Sequence, residues 1–141
     1  MPIPKITVKG QPDVLEYLTN IQKNVYGEDL EACGYDPVTG YFRDGSCNSD
    51  EGDRGSHTVC VQITDAFLQY SKDKGNDLST PVPEFGFPGL GAGDRWCVCA
   101  QRWKEAYDDG VAPKVILLAT NENVLKIISL ETLKQHAIDL S

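Results

Sequence analysis

Five cysteines and two histidines hold most of the reactive chemistry open to this 141-residue chain. Cys97 stands out among them. If Asp94 caps a helix, Cys97 is its third residue, where unpaired backbone amides and the positive end of the helix dipole stabilise a thiolate, and Arg95 adds a cation beside it. Asp94 offsets part of that field, and the competing reading is an inert thiol packed under the helix. Cys97 and Cys99 also form a C-x-C pair. On a strand both thiols would share a face and could chelate one metal; on a helix they diverge by about 200° and could not. Cys33, Cys47, His57 and Cys60 are a second set, a Cys3His combination that zinc accepts at tetrahedral geometry. No pair in it has the short C-x2-C spacing, so scattered small buried hydrophobes are the competing account. A nucleophilic dyad of Cys60 and His57 is the third candidate, although a strand beginning at His57 would turn the two side chains to opposite faces.

The remaining candidates bind rather than react. Gly89-Leu90-Gly91-Ala92-Gly93 runs into the helix expected after Asp94, so amides around Gly91 and Gly93 could cradle an anion with Arg95 completing the site. No strand precedes it and the phosphate-loop pattern is missing, so a nucleotide phosphate is not implied. Asn76 and Asp77 lie in the same Gly- and Pro-rich stretch, residues 75–100, whose irregular backbone suits a binding site better than a core. Pro81, Pro83 and Pro88 should make it a stiff wall. Asp44, Asp50, Glu51 and Asp53 lack the order of a calcium loop and read as a solvated acidic face. His136, near the end of the last expected helix, would be favoured as a cation by the dipole.

These side chains must be positioned by few elements. Val14, Leu15, Leu18, Ile21 and Val25 recur at helical spacing after Pro12. Residues 26–56 are poor in aliphatics and should be irregular, with Asp36-Pro37-Val38-Thr39-Gly40 as a tight turn. His57 to Ile63 alternates as a strand. Thr64 caps a helix running to Lys74. Trp96, Cys99, Ala100, Trp103 and Tyr107 predict a helix over 95–109. Strands follow at Lys114–Ala119 and Leu125–Ile128, then a helix capped by Ser129 and carrying Leu130, Leu133, Ala137 and Leu140. The pattern is that of an α+β domain, a small mixed sheet with helices packed on one face and long irregular Gly/Pro-rich loops.

Length and composition set the outer bounds. One domain is expected over 1–141, with residues 1–23 as an N-terminal extension bearing a helix and 24–140 as the core, and folding should bury roughly 68–70% of the unfolded surface. A net charge of −8 with no basic cluster argues against nucleic acid and anionic membranes as partners. No leader or membrane-spanning run is visible, so a cytoplasmic location is expected, and with it mostly reduced thiols and no need for disulfides.

Several long words occur in order: Asp36-Pro37-Val38-Thr39-Gly40-Tyr41-Phe42-Arg43-Asp44-Gly45, His57-Thr58-Val59-Cys60, Gly75-Asn76-Asp77-Leu78-Ser79-Thr80-Pro81, Phe87-Pro88-Gly89-Leu90 and Gly93-Asp94-Arg95-Trp96-Cys97-Val98-Cys99-Ala100. From about Asn24 onward they make the chain resemble the bacterial family known as domain of unknown function 2237. That resemblance implies a small α+β fold and brings no catalytic residues. The chain departs from the family pattern at Ser46, where relatives often have cysteine, and at Asn121, where they often have histidine, so a site needing either would not carry over.

The leading expectation is a protein that binds a small anionic or polar metabolite around Asn76, Asp77, Gly91, Gly93, Arg95 and Cys97, acting on it through a thiol, with Cys97, Cys60 and His57 as the catalytic candidates. No cofactor is implied. The alternatives are an interaction module whose 75–96 loop docks a protein partner, and a metal-stabilised domain built on Cys33, Cys47, His57 and Cys60. Whether the protein is an enzyme at all is left open.

Overall fold

The computed structural model describes residues 21–140. The helix expected before Val25 lies mostly outside them. At the centre is a three-stranded sheet in the order β2-β1-β3, with β1 at Val59–Gln62, β2 at Arg95–Val98 and β3 at Lys114–Val115. Both pairings are antiparallel, and the register sets Cys60 opposite Cys97, Val61 opposite Trp96 on one side and Val61 opposite Val115 on the other. A parallel bridge between Val115 and Ala137 extends the sheet beyond β3.

Strand alternation sorts these side chains onto two faces. Val59, Val61, Trp96, Val98 and Val115 enter the larger core with Phe67, Trp103 and Leu133. Cys60 and Cys97 point the other way, into a smaller buried cluster with Cys33, Cys47, Ile116 and Ala119. The first face is covered by α1, Asp65–Asp73, and α2, Ala100–Asp108. Thr64 caps α1 as expected, its hydroxyl accepting the Phe67 amide at 3.1 Å. Trp103 is fully buried, and its indole N–H donates to the Pro113 carbonyl at 3.2 Å. The second face is covered by the irregular segment 26–57. Together they make a small α+β fold.

Three expectations change. Residues 95–98 are a strand, and α2 begins only after Cys99, whose side chain makes no capping bond. Trp96 and Trp103 do share one core, but Trp96 reaches it from a strand, and two periods meeting at Cys99 imitate one helix. The strand from Lys114 stops at Val115 and gives way to a 3-10 turn over Leu117–Ala119, while Glu122–Lys126 form a further 3-10 helix capped by Asn121 that takes in the start of the strand expected at Leu125–Ile128. The last helix, α3, covers only Leu130–Lys134. It ends because the chain turns back along β3: the Val115 amide donates to the His136 carbonyl, and the Ile138 amide donates to the Val115 carbonyl.

Candidate functional site

The cysteines are arranged differently from the sequence expectation. Cys33 is bonded to Cys60 and Cys47 to Cys97, at sequence separations of 27 and 50. Four thiols expected to be reduced are therefore paired, and Cys99 alone is free. Cys97 is buried on a strand and lacks both the helix N-terminus and the solvent access on which its reactivity depended. Cys60 is fully buried and bonded, so it forms no dyad with His57. The C-x-C clip does not form either, because Cys99 lies past the end of β2 and outside the sulfur cluster.

The glycine loop is equally occupied. Gly91 N–H donates to the Asp94 carboxylate at 2.8 Å, and Gly93 N–H to the Ile63 carbonyl at 2.8 Å. Asp94 closes this turn instead of capping a helix, and the two amides expected to cradle an anion, those of Gly91 and Gly93, are both taken. Arg95 is exposed on the edge strand, and the Asn76 amide terminates α1 by donating to the Ser71 carbonyl.

His57 and Asp77, by contrast, share a cleft of about 270 Å³ whose walls are Leu78, Val82, Phe85, Phe87 and Trp96, with Arg43 across it. The Arg43 guanidinium lies 4.9 Å from the centre of the Trp96 ring, and Phe87 packs edge-on against that ring at 5.4 Å. Trp96 is placed by the β1–β2 register, Phe87 by its return pairing with Val82, and Arg43 by the turn closed through Gly40.

Asp53 holds His57 in place. Its side chain is fully buried and accepts the His57 amide at 2.8 Å, the Ser49 hydroxyl at 3.0 Å and His57 Nδ1 at 2.6 Å. With Nδ1 donating to the carboxylate, Nε2 is the ring nitrogen left for a ligand, and among the described residues it has no hydrogen-bond partner. Tyr41 stacks on one side of the imidazole at 6.2 Å. Gly55 also lies against the ring, where a Cβ would come within 2.8 Å of it.

Two residues beside this cleft adopt left-handed backbone without being glycine: Arg43, at φ 55°, and Ser56, at φ 50°. Each such conformation costs about 1–3 kcal/mol and collects at functional sites. Asp77 is satisfied within its own loop. The Thr80 hydroxyl, then the Ser79 amide and hydroxyl, donate to it and hold its carboxyl well below the usual carboxylate range. It stays ionised at the cleft wall.

A larger depression, about 840 Å³, runs over α2. Its charges largely answer one another, Lys104 with Asp108 at 3.3 Å and Arg102 with Glu105 at 3.6 Å, which marks a solvated face rather than a site. His136 also departs from expectation. Burial, then the Lys114 charge, pushes it down, so it is disfavoured as a cation despite its place after α3.

Sequence reasoning named His57 and Asp77 of the cleft but not its other lining residues Arg43, Phe87 and Trp96, nor Asp53 as the buried carboxylate that orients His57. The usable signal was the word Tyr41-Phe42-Arg43, two exposed aromatics and a cation inside a Gly-rich turn.

The family model for uncharacterised proteins conserved in bacteria, domain of unknown function 2237, matches residues 23–137. The chain belongs to that family. It spans both disulfides, the sheet and every residue of the cleft. Comparison with curated proteins finds no match. Among the described residues, no helix is long and apolar enough to cross a membrane.

Proposed function

We propose that the protein binds a small polar metabolite in the cleft between Arg43, His57 and Trp96. The carrying observation is that a buried carboxylate, Asp53, fixes a half-exposed imidazole at a cleft with an aromatic wall and one arginine. Aromatic faces hold an apolar or planar body, Arg43 and His57 Nε2 offer donors to an acidic group, and ionised Asp77 favours a ligand that also carries a donor. Any chemistry at this site is proton transfer at His57 Nε2. The thiol version falls away, since Cys60 and Cys97 are bonded and buried.

The test is a chemical-shift screen of labelled protein against small carboxylic and amino acids, including aromatic ones. Perturbations should centre on the Trp96 indole, Phe87 and His57, and weaken at least tenfold in Arg43→Gln. Shifts scattered over α2, or none at millimolar ligand, would sink the proposal.

A second reading, docking of a protein by the 75–96 loop, is favoured by Phe85, 84% exposed at the mouth of the cleft. It predicts that Phe85→Ser weakens capture of a protein partner far more than it weakens the small-molecule shifts at His57. The net charge of −8 keeps nucleic acid and anionic membranes off the list of partners in either reading. A cytoplasmic location belongs to the same proposal.

A further inference from the structure

The sulfur cluster carries an inference separate from the cleft. Cys33, Cys47, Cys60 and Cys97 are each at most 2% exposed, come from four separate positions in the chain, and meet on one face of the sheet. The sulfurs of Cys33, Cys47 and Cys97 lie within 4.8 Å of one another, and Cys60 is bonded to the first of them. Between residues 26 and 58, Cys33 and Cys47 are the only buried hydrophobic side chains. The segment bearing Arg43, Asp53 and His57 thus has little besides sulfur to hold its apolar contacts to the sheet. In a reducing compartment disulfides do not persist, and four free thiols would supply only weak packing. A link that survives reduction would keep the segment on the sheet there.

We propose that the reduced form of this cluster is a tetrathiolate metal centre that takes one zinc ion per chain. Zinc bound by four cysteines at about 2.3 Å sets the sulfurs about 3.8 Å apart; three of the four already lie within 4.8 Å of one another, and Cys60, bonded to Cys33, is the one that must turn toward the other two once its disulfide opens. Ile116 and Ala119 shield it from water. Two equivalents of a dithiol reduce the two disulfides, delivering four electrons and four protons and leaving as cyclic disulfide. Zinc then forms four Zn–S bonds and displaces the four thiol protons to solvent. The ligand set differs from the Cys3His set that the sequence suggested, because Cys97 takes the place of His57, which turns outward to Asp53 and the cleft.

The experiment is anaerobic reduction of the full chain, addition of zinc or cobalt(II), and desalting. About one metal per chain should remain, the cobalt form should show thiolate-to-metal charge transfer with tetrahedral ligand-field bands, and the oxidised protein should retain none. Cys99→Ser should behave like the parent, whereas Cys97→Ser should lose retained metal at least tenfold. Should Cys97→Ser fail to fold, alkylation of the parent decides: bound metal should protect four cysteines and leave Cys99 to react. A reduced chain that keeps its native circular dichroism yet holds no metal overturns the proposal. So does one that unfolds and is not refolded by zinc, or metal retained equally after Cys60→Ser and Cys97→Ser.

Discussion

The two faces of the sheet solve the same problem with different chemistry. On one, Val59, Val61, Trp96 and Val115 pack against Phe67, Trp103 and Leu133, and apolar area removed from water supplies the stabilisation. On the other, a segment of about thirty residues with almost no aliphatic side chains is held by four sulfurs and a few buried threonines. Thr39 Oγ1 accepts the Cys97 amide at 2.8 Å, and Thr120 Oγ1 accepts the Cys60 amide at 3.2 Å. The aliphatic face is indifferent to redox conditions. The sulfur face is not, and it is the sulfur face that carries Arg43, Asp53 and His57. A domain can thus keep its core and lose its site.

The widest separation between the faces should come from paired substitutions measured with and without reductant. Phe67→Ala should cost about 3–5 kcal/mol in either condition, as a large buried side chain is removed from the core. Cys47→Ser should cost about 4 kcal/mol in oxidised protein, the loop-closure value for a 50-residue separation, and far less once the parent is itself reduced in the absence of metal. Equal losses for Cys47→Ser in both conditions would erase the distinction drawn between the faces.

Thr39→Val should be the next most costly change. It keeps the shape of the side chain and leaves the buried Cys97 amide without its acceptor, at about 1–3 kcal/mol by denaturant unfolding. A cost near zero would mean that the sulfur face relies on the disulfides alone.

The aliphatic side has its own sensitivity, to pH. His136 packs edge-on against Trp103 and Tyr107, and burial lowers its pKa in the folded state. The folded protein therefore binds fewer protons than the unfolded chain below about pH 6.5, and stability falls as pH drops through that range. The melting temperature should decline from pH 7.5 to 5.5, and His136→Leu should flatten the decline. An unchanged slope in the variant would assign it to other groups.

Two smaller effects sharpen the picture. In oxidised protein an alkylating agent should label Cys99 and none of the other four cysteines, as read by peptide mapping. Gly55→Ala should change stability by only about 0.5–1 kcal/mol, since the added Cβ meets a side chain that can swing aside, yet it should move the His57 ring signals and weaken ligand contacts at Nε2.

The local elements were legible where one signal acted alone. Thr64 and Gly75 bracket α1, and the alternation read over His57 to Ile63 contains β1, Val59–Gln62, because caps and strand period are short-range properties of neighbouring residues. The boundary at Cys99 was not legible. A strand with Trp96 inward followed by a helix with Trp103 inward reproduces helical spacing, and only the pairing of 95–98 with β1 separates them.

By itself the sequence determined an α+β chain of one family, with a Gly- and Pro-rich stretch flanking the candidate site and a net charge of −8. Tertiary structure alone decided which thiol meets which. Cys47 and Cys97 are 50 residues apart, and nothing in their spacing encodes that β1–β2 register and the turn at Thr39 bring them to one point. It likewise decided that His57 faces Asp53 rather than Cys60, because a residue's partners across the fold depend on which face of a strand it leaves, and one residue of register reverses that face.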